Sequence, residues 1–567
     1  MKRNRKKVTI AACIGIMGVG MLSFNRGDDR SFQIIKNLDI FNAAYRELDM
    51  FYVDTIDPKK VIRDGIEGMF MQTDPYTEYY PEDDNTIKEM TTGKFGGIGS
   101  YIRYYKARDR VVVSEPNEDS PAAKSGLRAG DLIMTVDGKE MRRGKDSPQE
   151  YLNKVSKSLR GEPGTVCMVR VERPTLDGKG EIKEFKITRQ TIKTSPVPYY
   201  AMVTDSIGYI NMATFAVENC SKEVKKALIE LKRQGARALV FDVRGNTGGL
   251  LNEAVSTVNF FVPKNQEIVV TKGKLKQAMQ TYRTESDPLD LDMPLAVLVN
   301  EETASASEIF SGALQDLDRA VIIGNRTFGK GLVQTVRPLP YNSSVKITTS
   351  KYYIPSGRCI QAIDYSKRNV DGSIARVPDS LTNVFHTAAG REVRDGGGIR
   401  PDIEVKGEQL PNILFYLIND FVIFDYATRY VQKHPAVSSL SDFKITEEDY
   451  ADFKQFVKER KFTYDRQSDA VLKNLKEIAK FEGYLNDASE EFAALEKKLT
   501  HNLDRDLDHF EKDIRGAIAA EAVKRYFYLK GSIVEQLKDD PDLNKAIEVL
   551  KNKAAYAKLL SKGTALE

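Results

Sequence analysis

The stretch from Pro294 to Gln334 constrains the fold more than any other. Pro294–Val299 (PLAVLV) is an apolar run of strand length, and Ala320–Ile323 is a second. Between them Thr303 and Ser305 stand where a helix cap belongs, and Ile309, Ala313 and Leu314 recur at helical spacing. The second run enters a glycine turn, Gly324–Gly331, which carries Lys330. A serine therefore sits where a strand turns into a helix, and a lysine in the turn after the next strand. Strands that alternate with helices build α/β sheets. Two such turns on one face of a sheet bring Ser305 and Lys330, 25 residues apart, within reach of each other.

A serine hydroxyl is a weak nucleophile and needs a base. The four histidines, His386, His434, His501 and His509, are far away in sequence and none carries a motif. Lysine can serve if burial leaves its amine neutral at working pH. Gly329 and Gly331, with Phe328 and Leu332 outside them, fit such a setting for Lys330. Spacing alone leaves a plainer reading open: a serine that only caps a helix and a lysine on a surface turn.

Upstream the alternation continues. Ile207–Phe215 reads as a strand, Cys220–Gly235 as an amphipathic helix and Ala238–Arg244 as a buried strand. RGNTGG follows, and backbone N–H groups in such a turn can face an anion. In acyl transfer that anion is the tetrahedral oxyanion. Gly248 or Gly249 is one candidate donor, and the N–H of Ala306 the other.

The stretch TASASEIFSGALQD…RA…G…TFGKGLVQ resembles the signature of the C-terminal processing peptidases, PDZ-containing Ser-Lys serine endopeptidases also called tail-specific proteases. The resemblance implies Ser305 as nucleophile, Lys330 as general base and Gln334 as the group that orients the lysine. Ser307 ranks below Ser305 as nucleophile, and Asp316 reads as structural. The implied fold is multidomain α/β: a crotonase-like α/β protease core with an inserted β-rich PDZ domain, an N-terminal helical collar and a C-terminal helical region. The expected boundaries are 1–30 for a signal peptide or signal anchor, 31–90 for the helical collar, 95–189 for the PDZ domain, 190–407 for the peptidase core and 408–567 for the helical region.

Within 95–189, FGGIGSYI, RVVVSEP and VCMVRVER read as strands, and GLRAGD as a tight turn. These resemble a PDZ domain. The loop Gly96-Gly97-Ile98-Gly99 can hold a terminal carboxylate on its N–H groups, and the following strand edge can pair with an extended peptide; a tight hairpin is the plainer reading of these glycines. Arg160 matches an arginine that couples PDZ to core in related peptidases, or is a solvated residue at a helix end.

Lys2, Arg3, Arg5, Lys6 and Lys7 precede the apolar run Val8–Phe24, the pattern of an export signal. An uncleaved anchor is favoured narrowly over a cleaved peptide, and the remainder of the chain is expected outside the cytoplasm, in the periplasm or on the extracytoplasmic face. Cys167, Cys220 and Cys359 have no framework spacing. A net charge of +4 is too balanced to argue for nucleic acid, and no metal-ligand spacing or cofactor motif occurs. Ser31–Asp84 and Leu410–Glu567 are helical by pattern. Ile413–Val431 is apolar but broken by Asn419, Asp420 and Asp425, which favours a buried or subunit-facing helix over a membrane span. Helical ends of this kind can serve a homo-oligomer or an adaptor, or be purely structural.

The resulting expectation is a serine endopeptidase of the cell envelope whose substrates are proteins with unstructured C-terminal tails. The alternatives are a catalytically silent PDZ scaffold and an acyl-transfer or hydratase enzyme on the same core. A neutral lysine base implies activity that rises with pH.

Overall fold

The computed structural model describes residues 27–82, 84, 86–365, 376–407, 410–437, 439–465, 467–499 and 502–562. The export segment Val8–Phe24 and His501 lie outside them. No helix among the described residues is long and apolar enough to cross a membrane.

Contacts divide the chain into two units. The smaller holds the N-terminal residues to Glu82 together with Thr335–Thr348. It contains helices Gly27–Phe51 and Pro58–Phe70, and a short strand Glu78–Tyr80 that pairs antiparallel with Ser344–Lys346. Asp57 caps the second helix, accepting the Lys59 N–H at 3.0 Å, and Pro58 opens it.

The larger unit is built on a six-stranded sheet. Its order is Tyr199–Met202, Ile207–Asn211, Ala238–Asp242, Leu295–Val299, Val321–Gly324 and Ile403–Glu404. The first pair is antiparallel and the rest are parallel. Every residue of Ala238–Asp242 and Leu295–Val299 is buried. Parallel strands covered on both faces carry apolar side chains on both. Helices Cys220–Arg233, Leu251–Val258 and Ala306–Asp316 cover one face through Val224, Leu228, Val258, Ile309 and Phe310. The other face is closed from the far end of the chain: Leu543, Ala546, Val549 and Leu550 of helix Pro541–Lys551 pack on Tyr209, Val240, Leu298 and Ile323.

Residues 100–188 form a second sheet in the order Ser100–Tyr105, Arg110–Pro116, Leu132–Val136, Val166–Arg173, Glu181–Thr188. Ser100–Tyr105 is its edge. Helix Pro148–Leu159 buries Tyr151, Val155 and Leu159 on one face. The GLRAGD turn is fastened by Asp131, which takes the Arg128 N–H at 2.8 Å and the Arg173 guanidinium at 2.7 Å. The opposite face meets the C-terminal helices: Tyr105, Val112 and Leu132 cluster with Phe421 and Phe424.

The apolar stretch Ile413–Val431 is two helices, Asn412–Asn419 and Val422–Lys433. They break at Phe421, whose φ of 61° is left-handed. The polar residues Asn419 and Asp420 stand at that break.

Candidate active site

Strand Leu295–Val299 delivers Ser305 to the start of helix Ala306–Asp316. Ser305 has φ 57° and ψ −117°, a conformation that costs an L residue roughly 1–3 kcal/mol. The Ser305 N–H donates to Glu308 Oε2 at 2.8 Å, the return bond of a capping box. Ser305 itself is half-buried. Ser307, the rival, is fully buried.

Glu308 is the hub of the site. Its Oε2 also accepts the Lys330 N–H at 2.9 Å. Its Oε1 accepts the Gly329 N–H at 2.8 Å and the Thr327 hydroxyl at 2.5 Å. The carboxyl is wholly buried, and burial pushes it up to about 7 against the pull of these bonds. On the carbonyl side the Tyr352 hydroxyl lies between Ser305 O, at 3.1 Å, and Lys330 O. Glu308 and Tyr352 thus fix the main chain of both residues. Gln334 follows in strand Leu332–Pro338 and is half-buried.

The RGNTGG turn packs against the serine. A Cβ on Gly248 would stand 2.6 Å from Ala304 O and 2.8 Å from Ser305 Cβ, so only glycine fits. The Gly248 N–H donates to Asn246 Oδ1 at 2.9 Å, so in this conformation it is not an oxyanion donor; the side-chain amide of Asn246 occupies it. The N–H groups of Gly249 and Ala306 have no protein acceptor among the described residues. That turn is anchored by Arg244, which binds Asp242, Asp540 and Asp542.

Asp316 is buried with Arg358, at 2.7 Å, and accepts the Ser356 N–H at 3.0 Å, which suits the structural role expected for it. None of the described histidines, His386, His434 and His509, enters the hydrogen bonds around Ser305 and Lys330. No group of metal-binding side chains occurs among the described residues.

Of the four glycine-loop residues, Gly96 and Gly97 lie in strand Lys94–Gly97, paired with Thr191 and Gln190. Only Ile98 and Gly99 form the connection to the edge strand Ser100–Tyr105, because the chain pairs before it turns. Arg160, at the end of helix Pro148–Leu159, stacks over Phe95 at 4.7 Å and ion-pairs with Glu89, which lies before residue 95. Sequence reasoning missed Glu308, Tyr352, Arg244 and Asn246. The capping-box spacing of Ser305 and Glu308 was the one local signal.

Residues 206–371 match Peptidase family S41, residues 112–173 a PDZ domain, and residues 413–550 the family described as "Probable PDZ-protease, C-terminal helical domain". A carboxy-terminal-processing protease of Bartonella bacilliformis is 36% identical over 332 residues, which are 58% of this chain and 73% of that protein. A probable CtpA-like serine protease of Staphylococcus haemolyticus is 35% identical over 356 residues, 62% of this chain and 67% of that one. A solved photosystem II D1 C-terminal processing protease is 29% identical, with 65% of this chain and 87% of that one covered and a TM-score of 0.35. The chain belongs to the carboxy-terminal-processing proteases of peptidase family S41, and it is a serine-type peptidase with a PDZ domain.

Proposed function

We propose that the chain is an endopeptidase of the cell envelope that selects proteins by their unstructured C-terminal tails and cuts them by a Ser-Lys mechanism. The tail's carboxylate docks at the Ile98–Gly99 turn and its backbone extends the edge strand Ser100–Tyr105. Ser305 Oγ attacks the scissile carbonyl while the neutral Lys330 amine takes its proton, with Gln334 steadying the amine. The oxyanion is met by the N–H groups of Ala306 and Gly249. Lys330 passes the proton to the leaving amine, and water activated by the same lysine then releases the acyl group. Tail binding away from the reacting bond lets one site serve many sequences.

One observation carries this reading. The main-chain groups of Ser305 and Lys330 converge on the same two buried side chains, Glu308 and Tyr352. A capping serine and a surface lysine would need no such frame. The same reading takes the core as crotonase-like and the PDZ as inserted into it, which the antiparallel pairing of Lys94–Gly97 with Gln190–Lys193 at its two ends supports. The basic and apolar N-terminal segment supports export with retention at the membrane. Exposed Phe32, Ile35 and Leu38 on the first helix support pairing of subunits there.

The test is hydrolysis of a disordered protein by residues 27–567, unmodified and as Ser305→Ala and Lys330→Ala. Cutting by the unmodified protein alone supports the mechanism. Equal cutting by all three refutes it. Absence of cutting in all three, together with tail-peptide binding, favours a silent PDZ scaffold.

A further inference from the structure

The helix that closes the peptidase sheet also holds the turn beside the serine. Asp540 caps helix Pro541–Lys551, accepting the Leu543 N–H at 3.1 Å. It takes two bonds from Arg244, Nη1 at 3.0 Å and Nη2 at 2.5 Å, and Asp542 takes another from Nη1 at 2.8 Å. Asp242 takes Nε at 3.1 Å and Nη2 at 2.7 Å. A guanidinium has five N–H donors, so the fork is fully engaged. The arginine is mostly buried, and three carboxylates surround it.

Arg244 opens the turn that ends at Gly249. Its next residue, Gly245, donates to Asn300 Oδ1 at 2.9 Å, and Asn246 O accepts the Ala304 N–H at 3.0 Å. Gly248 is pressed against Ser305. A short, bonded path therefore runs from the C-terminal helix to the nucleophile.

We propose that Asp540 and Asp542 are positioning residues for peptide-bond cleavage. They hold Arg244, and through it the turn that presents the Gly249 N–H to the oxyanion. The C-terminal helix is then part of the catalytic unit. This rests on the reading of Ser305 as nucleophile and of the Gly249 N–H as donor.

The test uses the full-length protein with D540N/D542N. Asparagine keeps the helix cap and the shape but removes the charge. Displacement of an oriented donor lowers kcat about tenfold to a hundredfold per folded molecule, with KM unchanged. Affinity for a peptide boronate, whose tetrahedral oxygen occupies the oxyanion position, falls by the same factor. A purely structural role moves neither ratio once activity is scaled to the folded fraction. D542N alone, which leaves the cap untouched, gives the same direction if the double variant folds poorly.

R244K lowers kcat likewise, and the triple variant R244K/D540N/D542N is no slower than R244K, because the carboxylates act only through that arginine. An unchanged kcat in D540N/D542N, or losses that multiply in the triple variant, overturns the proposal. If R244K and D540N/D542N both keep full kcat while Ser305→Ala abolishes it, the role of the turn fails and the nucleophile stands. If Ser305→Ala still cuts, the underlying reading has failed first.

Discussion

The main-chain N–H groups of Ser305 and Lys330 donate to one atom, Glu308 Oε2, at 2.8 and 2.9 Å. The two nitrogens can be no further apart than the sum of those distances. Glu308→Gln keeps the size of the side chain but turns an amide NH2 towards two of its four donors. A buried donor left unpaired costs about 1–3 kcal/mol. Glu308→Gln should lower the melting temperature and reduce kcat about a hundredfold or more, given the sensitivity of such sites to small displacements. Thermal unfolding and initial rates check the two effects separately.

The same carboxyl gives the pH behaviour two opposed signs. Its pKa rises from 4.5 unfolded to about 7 folded, so the folded state binds the extra proton. Its contribution to stability is complete below about 4.5 and is lost as pH rises through about 7. Activity moves the other way, since only the ionised carboxylate accepts all four hydrogen bonds. Rates should rise through pH 7 as the melting temperature falls, and Glu308→Gln should remove this part of both slopes. A melting temperature that climbs through that range in the unmodified protein but not in the variant would contradict the assignment.

Much of this was legible in the sequence where burial imposes a pattern. Leu295–Val299 reads as a strand because both faces of a parallel sheet are covered. The Ser305 and Lys330 turns follow from the strand order, and the strands of the PDZ region from their apolar runs and turn residues. What could not be read was set by contacts between distant residues. Nothing near Tyr352 announces that its hydroxyl joins Ser305 to Lys330, and nothing near Asp540 points to Arg244, 296 residues away. Asn246 captures the Gly248 N–H through a side chain whose orientation sequence does not specify. The spacing of Ser305 and Glu308 suggests a capping box, but not that the same carboxylate also takes the Lys330 N–H.

Tyr352→Phe removes one hydroxyl from a side chain that is 1% exposed. The ring still fills its place, so the stability loss should be about 1 kcal/mol. The carbonyls of Ser305 and Lys330 lose their shared partner, and kcat should fall about tenfold with KM steady. A variant as fast as the parent would show that Glu308 alone frames the two residues.

Asp316 and Arg358 form a pair with side chains 0% and 1% exposed. Removing one partner from a buried pair strands the other charge and costs about 3–5 kcal/mol. Asp316→Ala should therefore unfold at markedly lower temperature or denaturant, with any surviving folded enzyme close to normal in kcat. Loss of turnover at full stability would move Asp316 from the frame to the chemistry.

Arg160 tests the link between the PDZ and the peptidase. Its ion pair with Glu89 is partly exposed and contributes about 1 kcal/mol or less to stability, and the Phe95 stack adds a similar amount. Arg160→Ala should barely change the melting temperature. If the arginine transmits tail binding to the core, the variant loses the rate advantage that a free C-terminal carboxylate confers on a peptide over its C-terminal amide. On the proposed docking at the edge strand and the Ile98–Gly99 turn, both untouched by the substitution, binding of the tail peptide to the PDZ should stay intact. Comparing kcat/KM for the acid and amide peptides in parent and variant gives the answer. An unchanged ratio would leave Arg160 as a structural strut at the base of the PDZ helix.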